Sequence, residues 1–145
     1  MISICRSSIL IWRLNSLLLI LLCLPCAALA QEVPVFRPLA EHTAQERFFG
    51  ADHPAQTRIA EIDLNRDGLN ELILSLPDGA YRIYAAPPRG DLVPLGSIPP
   101  SKGLIVADQT DFGVRRLIVS GSATNDYLKR AYRWNPQEGR YLPVE

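Results

Sequence analysis

Asp63, Asn65 and Asp67 stand at alternate positions of the run Asp63-Leu64-Asn65-Arg66-Asp67-Gly68-Leu69-Asn70-Glu71, and Glu71 adds a further side-chain oxygen. Hard cations such as Ca²⁺ take about six to eight oxygen ligands at short range. Alternate residues of a tightly curled loop point inward, so this spacing gathers oxygens around one point. Gly68 permits the sharp turn because it has no Cβ to obstruct left-handed dihedrals. Leu69 occupies the seventh place, where a main-chain carbonyl is the usual donor. The expected ligands of a single Ca²⁺ site are therefore Asp63, Asn65, Asp67, Leu69 (through its carbonyl) and Glu71. The same residues also suit an Asx-rich hairpin turn without metal.

The loop departs from an EF-hand, which closes with a Glu at its twelfth place and is flanked by helices. Here the twelfth place is Leu74. The flanks Ile59-Ala60-Glu61-Ile62 and Glu71-Leu72-Ile73-Leu74-Ser75-Leu76 are short, apolar and bounded by turn residues, as strands are. A D-x-[DN]-x-D-G-x-x-[DE] loop between two strands resembles the FG-GAP or VCBS repeat family, with Asp63, Asn65, Asp67, Gly68 and Glu71 at the matching places. The resemblance spans roughly residues 57 to 145, and Gly139-Arg140-Tyr141 matches the family's closing hairpin. It implies blade-like β-sheet and a bound cation; the family is functionally heterogeneous, so it implies no particular activity.

The chain repeats itself at an offset of 45 residues without a gap: Asp63 falls on Asp108, Gly68 on Gly113, and Leu72-Ile73-Leu74-Ser75 on Leu117-Ile118-Val119-Ser120. A second hairpin follows each loop, from Ala80 to Ile98 across Pro87-Pro88-Arg89-Gly90, and from Tyr127 to Val144 across Asn135-Pro136-Gln137-Glu138-Gly139. Such a period with four short strands per copy is that of a propeller blade. Two blades cannot close a propeller, which typically has about four to eight. The expected fold is all-β and mainly antiparallel: two four-stranded repeats, 57–101 and 102–145, packed as a small sandwich or open barrel. The second copy has Thr110, Phe112 and Arg116 where the first has Asn65, Asp67 and Glu71, a set that would exclude a cation.

Ahead of the repeats lies a segment of different character. Arg6 and Arg13 precede the apolar run Leu17–Leu24, and Ala28-Leu29-Ala30 supplies an A-x-A signal before Gln31. This is the layout of a secretory signal peptide over residues 1–30, cleaved after Ala30; an uncleaved anchor is the alternative. Pro25 before Cys26 and Leu22 before Cys23 argue against a lipoprotein. Periplasmic or secreted location follows, with no membrane insertion after cleavage. All three cysteines fall in the discarded segment, so the mature chain has no disulfide or thiolate. With Arg6 and Arg13 gone, acidic residues outnumber basic ones by two, which gives no footprint for nucleic acid.

Residues 31–56 read as an N-terminal extension. Pro34 and Pro38 keep its entry extended, and Leu39 to Phe49 is expected to form a short helix with Ala40, Ala44 and Phe48 on one face. His42 and Glu46 share a face of that helix, but two donors do not make a transition-metal site. No nucleophile with a nearby base is visible: His42 and His53 are the only mature imidazoles, and no nucleophile-elbow motif occurs. The expectation is a monomeric, non-enzymatic, exported Ca²⁺-binding β module with a structural or protein-binding role. A secreted hydrolase or hydrolase inhibitor is the alternative. Tyr81, Tyr84, Tyr127, Tyr132 and Trp134 are the candidate partner surface if they are not core. Arg115-Arg116 and Lys129-Arg130 read as solvated charges on strand faces or turns.

Overall fold

The computed structural model describes residues 31–50, 53–122 and 124–145; the signal-peptide segment, 1–30, lies outside the described residues. Among the described residues ten strands form two antiparallel sheets. After β1 (Gln31–Glu32) and β2 (Arg37–Pro38), the first repeat supplies β3 (Arg58–Ile62), β4 (Glu71–Ser75), β5 (Tyr81–Ala85) and β6 (Val93–Ile98). The second supplies β7 (Gly103–Asp111), β8 (Val114–Ser120), β9 (Lys129–Asn135) and β10 (Arg140–Pro143). Each set is a meander of neighbouring hairpins, and β3 and β7 begin at the 45-residue offset read from the sequence. The sheet orders are β2-β3-β4-β5-β6 and β1-β7-β8-β9-β10, with no ladder between them. The molecule is thus an all-β sandwich and not a closed barrel.

Burial patterns follow from what covers each face. β8 alternates between buried and half-buried residues because only one face of its sheet is packed. Glu71, Leu72, Ile73 and Leu74 of β4 are all buried, as in a strand covered on both faces. One face of β4 meets the other sheet, in a core that includes Ile73, Ile83, Ile98, Leu104, Val106 and Leu117. Its opposite face, Leu72 and Leu74 beside Ile59, packs under Leu39, Ala44, Phe48 and Phe49.

Residues 31–38 are therefore integral to both sheets. Gln31 and Glu32 pair with Ala107 and Val106 on β7, and Arg37 and Pro38 pair with Ile59 and Arg58 on β3. This strap crosses from one sheet to the other, and the Arg58 guanidinium donates to the Phe36 carbonyl at 2.6 Å. The helix expected over Leu39–Phe49 is replaced by a 3₁₀ turn at Leu39–Glu41 and a wide π-type turn at Gln45–Phe49. The physical reason lies in the cover it provides. Leu39 and Ala44 must both reach the outer face of β3 and β4, and a 3₁₀ turn anchored by the Leu39 amide on the Thr57 carbonyl delivers them from an extended entry. Of the residues placed on one helical face, Ala44 is buried, Phe48 is half-buried and Ala40 is exposed.

Candidate functional site

The loop between β3 and β4 curls around its own side-chain oxygens. Both Asp63 oxygens accept main-chain amides, from Asp67 at 3.2 Å and from Gly68 at 2.9 Å. Asn65 Oδ1 accepts the Asp67 amide at 3.0 Å, and its Nδ2 donates to Asp67 Oδ2 at 2.9 Å. The Leu69 amide donates to Asp67 Oδ1 at 2.8 Å. Arg66 and Gly68 take φ of 60° and 87°; these left-handed residues give the loop its curl. The turn chemistry foreseen for the metal-free alternative is thus present, with the Asp63, Asn65 and Asp67 oxygens accepting loop amides.

Glu71 differs from the others. It is 5% exposed, and its Oε2 accepts the Leu64 amide at 2.6 Å. Burial lifts its carboxyl above the ordinary carboxylate range; the Leu64 hydrogen bond opposes this, and the Asp67 and Asp63 charges add to it. Glu71 has no ion-pair partner among the described residues. Arg66, the cation within the loop, turns outward and meets Asp108 Oδ1 at 3.1 Å.

A buried carboxylate, two further carboxylates close enough to disfavour its charge, and no protein cation among them suit a divalent cation by donor chemistry. Asp63 and Glu71 would anchor it, with Asp67, Asn65 and the Leu69 carbonyl completing the set. Among the described residues no three Asp, Glu, His or Cys side chains are grouped closely enough to hold a metal ion.

The equivalent region of the second repeat is a plain hairpin. Phe112 and Gly113, with φ of 53° and 81°, form its two-residue tip, as a type I′ turn requires. Arg116, at the place of Glu71, donates from Nε and Nη2 to the two Asp111 oxygens at 2.5 and 2.8 Å and holds that carboxyl below its usual range. An internal ion pair stands where the first copy concentrates negative charge. The irregularity in β7 between Val106 and Thr110 spans Asp108, whose carboxylate meets Arg66 and Arg115.

Several residues beneath the loop escaped the sequence reading. Leu64, fully buried, accepts the Arg115 amide at its carbonyl at 2.7 Å. The Arg115 carbonyl accepts the Tyr141 hydroxyl at 2.8 Å. Burial, then the Glu71 charge, pushes the Tyr141 phenol well above its usual range. The Arg115 side chain, read as solvated, is buried: Nη1 donates to Glu32 at 2.7 Å, Nε to the Ala107 carbonyl at 3.2 Å, and Nη2 lies 3.6 Å from Asp108. Strand alternation carried the signal, since Arg115 shares parity with the inward Leu117 and Val119.

Other residues singled out from the sequence are dispersed. His42 Nδ1 accepts the Ala44 amide and its Nε2 lies 3.5 Å from Glu61, not Glu46. The His53 ring meets Phe49 edge-on at 4.8 Å. Tyr81 and Tyr132 are core, Tyr84 and Trp134 are half-buried, and Tyr127 alone of the aromatic set is fully out, at 95% exposure. No known protein family, curated protein or solved structure matches this chain.

Proposed function

We propose that this chain is an exported, non-enzymatic β module that is stabilised by one Ca²⁺ in the Asp63–Glu71 loop and acts by structure or by binding a protein. The observation that carries the reading is Glu71: a buried carboxylate beside Asp63 and Asp67, with the loop's own arginine directed elsewhere. Folding such a site without a cation leaves a buried carboxylate beside two like charges nearer solvent, and a bound divalent ion would relieve their repulsion. His53 packs on Phe49, whereas His42 accepts the Ala44 amide and its Nε2 faces Glu61 at 3.5 Å in a cleft also lined by Glu32 and Arg37. An open groove of about 570 Å³ beside β6 and β10, lined by Arg82, Ser97, Tyr132 and Arg140 among others, offers a surface for a protein partner. Export rests on the leader-like residues 1–30.

The test is thermal unfolding of the purified protein with millimolar Ca²⁺ and with chelator, beside Asp63→Ala and Asp67→Ala. Ca²⁺ should raise the melting temperature of the parent and leave both variants nearly unmoved. A parent indifferent to Ca²⁺ would sink the reading and leave the loop as an Asx-rich turn.

A further inference from the structure

The loop, the second sheet and the strap meet at one residue. Three hydrogen bonds link four residues: the Tyr141 hydroxyl donates to the Arg115 carbonyl, the Arg115 amide to the Leu64 carbonyl, and the Leu64 amide to Glu71 Oε2, at 2.8, 2.7 and 2.6 Å. A second line alternates in charge. Arg66, from the crown of the loop, meets Asp108 at 3.1 Å; Arg115 Nη2 approaches the same Oδ1 at 3.6 Å; and Arg115 Nη1 meets Glu32, on the strap, at 2.7 Å. Arg115 belongs to both lines and its side chain is only 10% exposed, so neither line can shift without disturbing the other. Of the second line only Arg115 is buried; Arg66, Asp108 and Glu32 reach solvent.

β1 itself is the lightly held part of the strap: it contributes two exposed residues to β7, and Val33 beyond them is exposed, whereas Pro34 is buried and Phe36 packs on Tyr81 at 5.8 Å. Within Gln31–Val33 the Glu32–Arg115 ion pair is the side-chain contact that ties this end to the second sheet.

We propose that Arg115 is a positioning residue that couples cation loading of the 63–71 loop to docking of the N-terminal strap on the second sheet. The coupling rests on the reading of that loop as a Ca²⁺ site. Drawing Asp63, Asp67 and Glu71 around an ion settles the main chain at Leu64 and Arg66, and with it both contacts that place Arg115. Arg115 then presents its outer nitrogen to Glu32. Linkage makes the effect reciprocal: whatever factor Ca²⁺ adds to strap docking, strap docking adds to Ca²⁺ affinity.

The experiment is amide hydrogen exchange of the purified protein with and without Ca²⁺, together with calorimetric Ca²⁺ titration, on the parent, Glu32→Gln and Arg115→Lys. Glu32 is half-exposed, so Glu32→Gln cuts the link at its outer end without touching the core and remains decisive if Arg115→Lys fails to fold. In the parent, Ca²⁺ should slow exchange in peptides covering both 63–71 and 31–38. In Glu32→Gln the loop should still be protected, the strap should no longer respond, and Ca²⁺ should bind about fivefold more weakly, the low end of typical couplings. Protection confined to the loop in the parent, or parental affinity in Glu32→Gln, would overturn the coupling while leaving the cation site standing. Absence of Ca²⁺ binding by calorimetry in the parent would overturn the site itself and the coupling with it.

Discussion

Replacing Glu71 by Gln separates two opposing effects of one carboxylate. In chelator, the buried charge beside Asp63 and Asp67 destabilises the fold. Gln keeps an acceptor for the Leu64 amide and removes the charge, so Glu71→Gln should unfold at or above the parent's temperature. In Ca²⁺ the order should reverse. With a Kd of about 0.1–1 mM, typical of extracellular modules, about 10 mM Ca²⁺ stabilises the parent by about 1.4–2.7 kcal/mol. A domain of about 115 residues has an unfolding entropy of about 0.24 kcal/mol/K, so the parent's melting temperature should rise by about 6–11 °C. Losing one carboxylate ligand at a cost of about tenfold in affinity should lower that rise by about 4–6 °C. Scanning calorimetry of both proteins in Ca²⁺ and in chelator reads all four temperatures. A variant that melts well below the parent in chelator would show that the carboxylate stabilises the fold unaided. A variant that keeps the parent's full Ca²⁺ response would remove Glu71 from the ligand set. Either result refutes the reasoning.

Without metal, the raised Glu71 pKa carries a definite sign: between the ordinary carboxylate range and the raised value the folded chain holds a proton that the unfolded chain has released. Its contribution to stability should therefore fall as pH rises through that window, an effect visible in urea unfolding in chelator and absent in Glu71→Gln. Tyr141→Phe removes the hydroxyl that donates to the Arg115 carbonyl and should cost about 1–2 kcal/mol, read as a lower urea midpoint at unchanged slope. Phe112→Asn should stabilise the chain by about 0.5–1 kcal/mol, because Asn tolerates the left-handed φ of 53° better and Phe112, 79% exposed, gives up no packing; a lower midpoint in the same assay would contradict this.

The strands of the two repeats were legible because alternation and turn residues are local signals. Leu72-Ile73-Leu74 and Leu117-Ile118-Val119 mark the centres of both meanders, and the 45-residue offset places their partners. What stayed hidden depends on which faces come together. Leu39–Phe49 carries helical spacing, yet a sheet face beneath Leu39 and Ala44 set its conformation. Arg115 carries a charge that argues for solvent, while its parity with Leu117 argues for the interior; a waiting carboxylate on a distant strand decided between them. Leu64 carried a signal that the sequence reading passed over. An apolar residue amid Asp, Asn and Arg has little reason to be in a solvated loop unless it anchors that loop, and it does.

The strap also sets an order of events. Gln31 and Glu32 pair with Ala107 and Val106, so the earliest of the described residues to leave a ribosome or a translocation channel dock onto strands made long afterwards. Contacts so distant in the chain close late, because loop entropy must be overcome before they contribute. Until then β3 and β7 present bare edges, each a row of free amides and carbonyls able to pair with another chain. The lifetime of that unstrapped species governs how much protein is lost to association during folding. Changes at Glu32 or Arg37 are therefore felt in refolding yield at high concentration before they are felt in equilibrium stability.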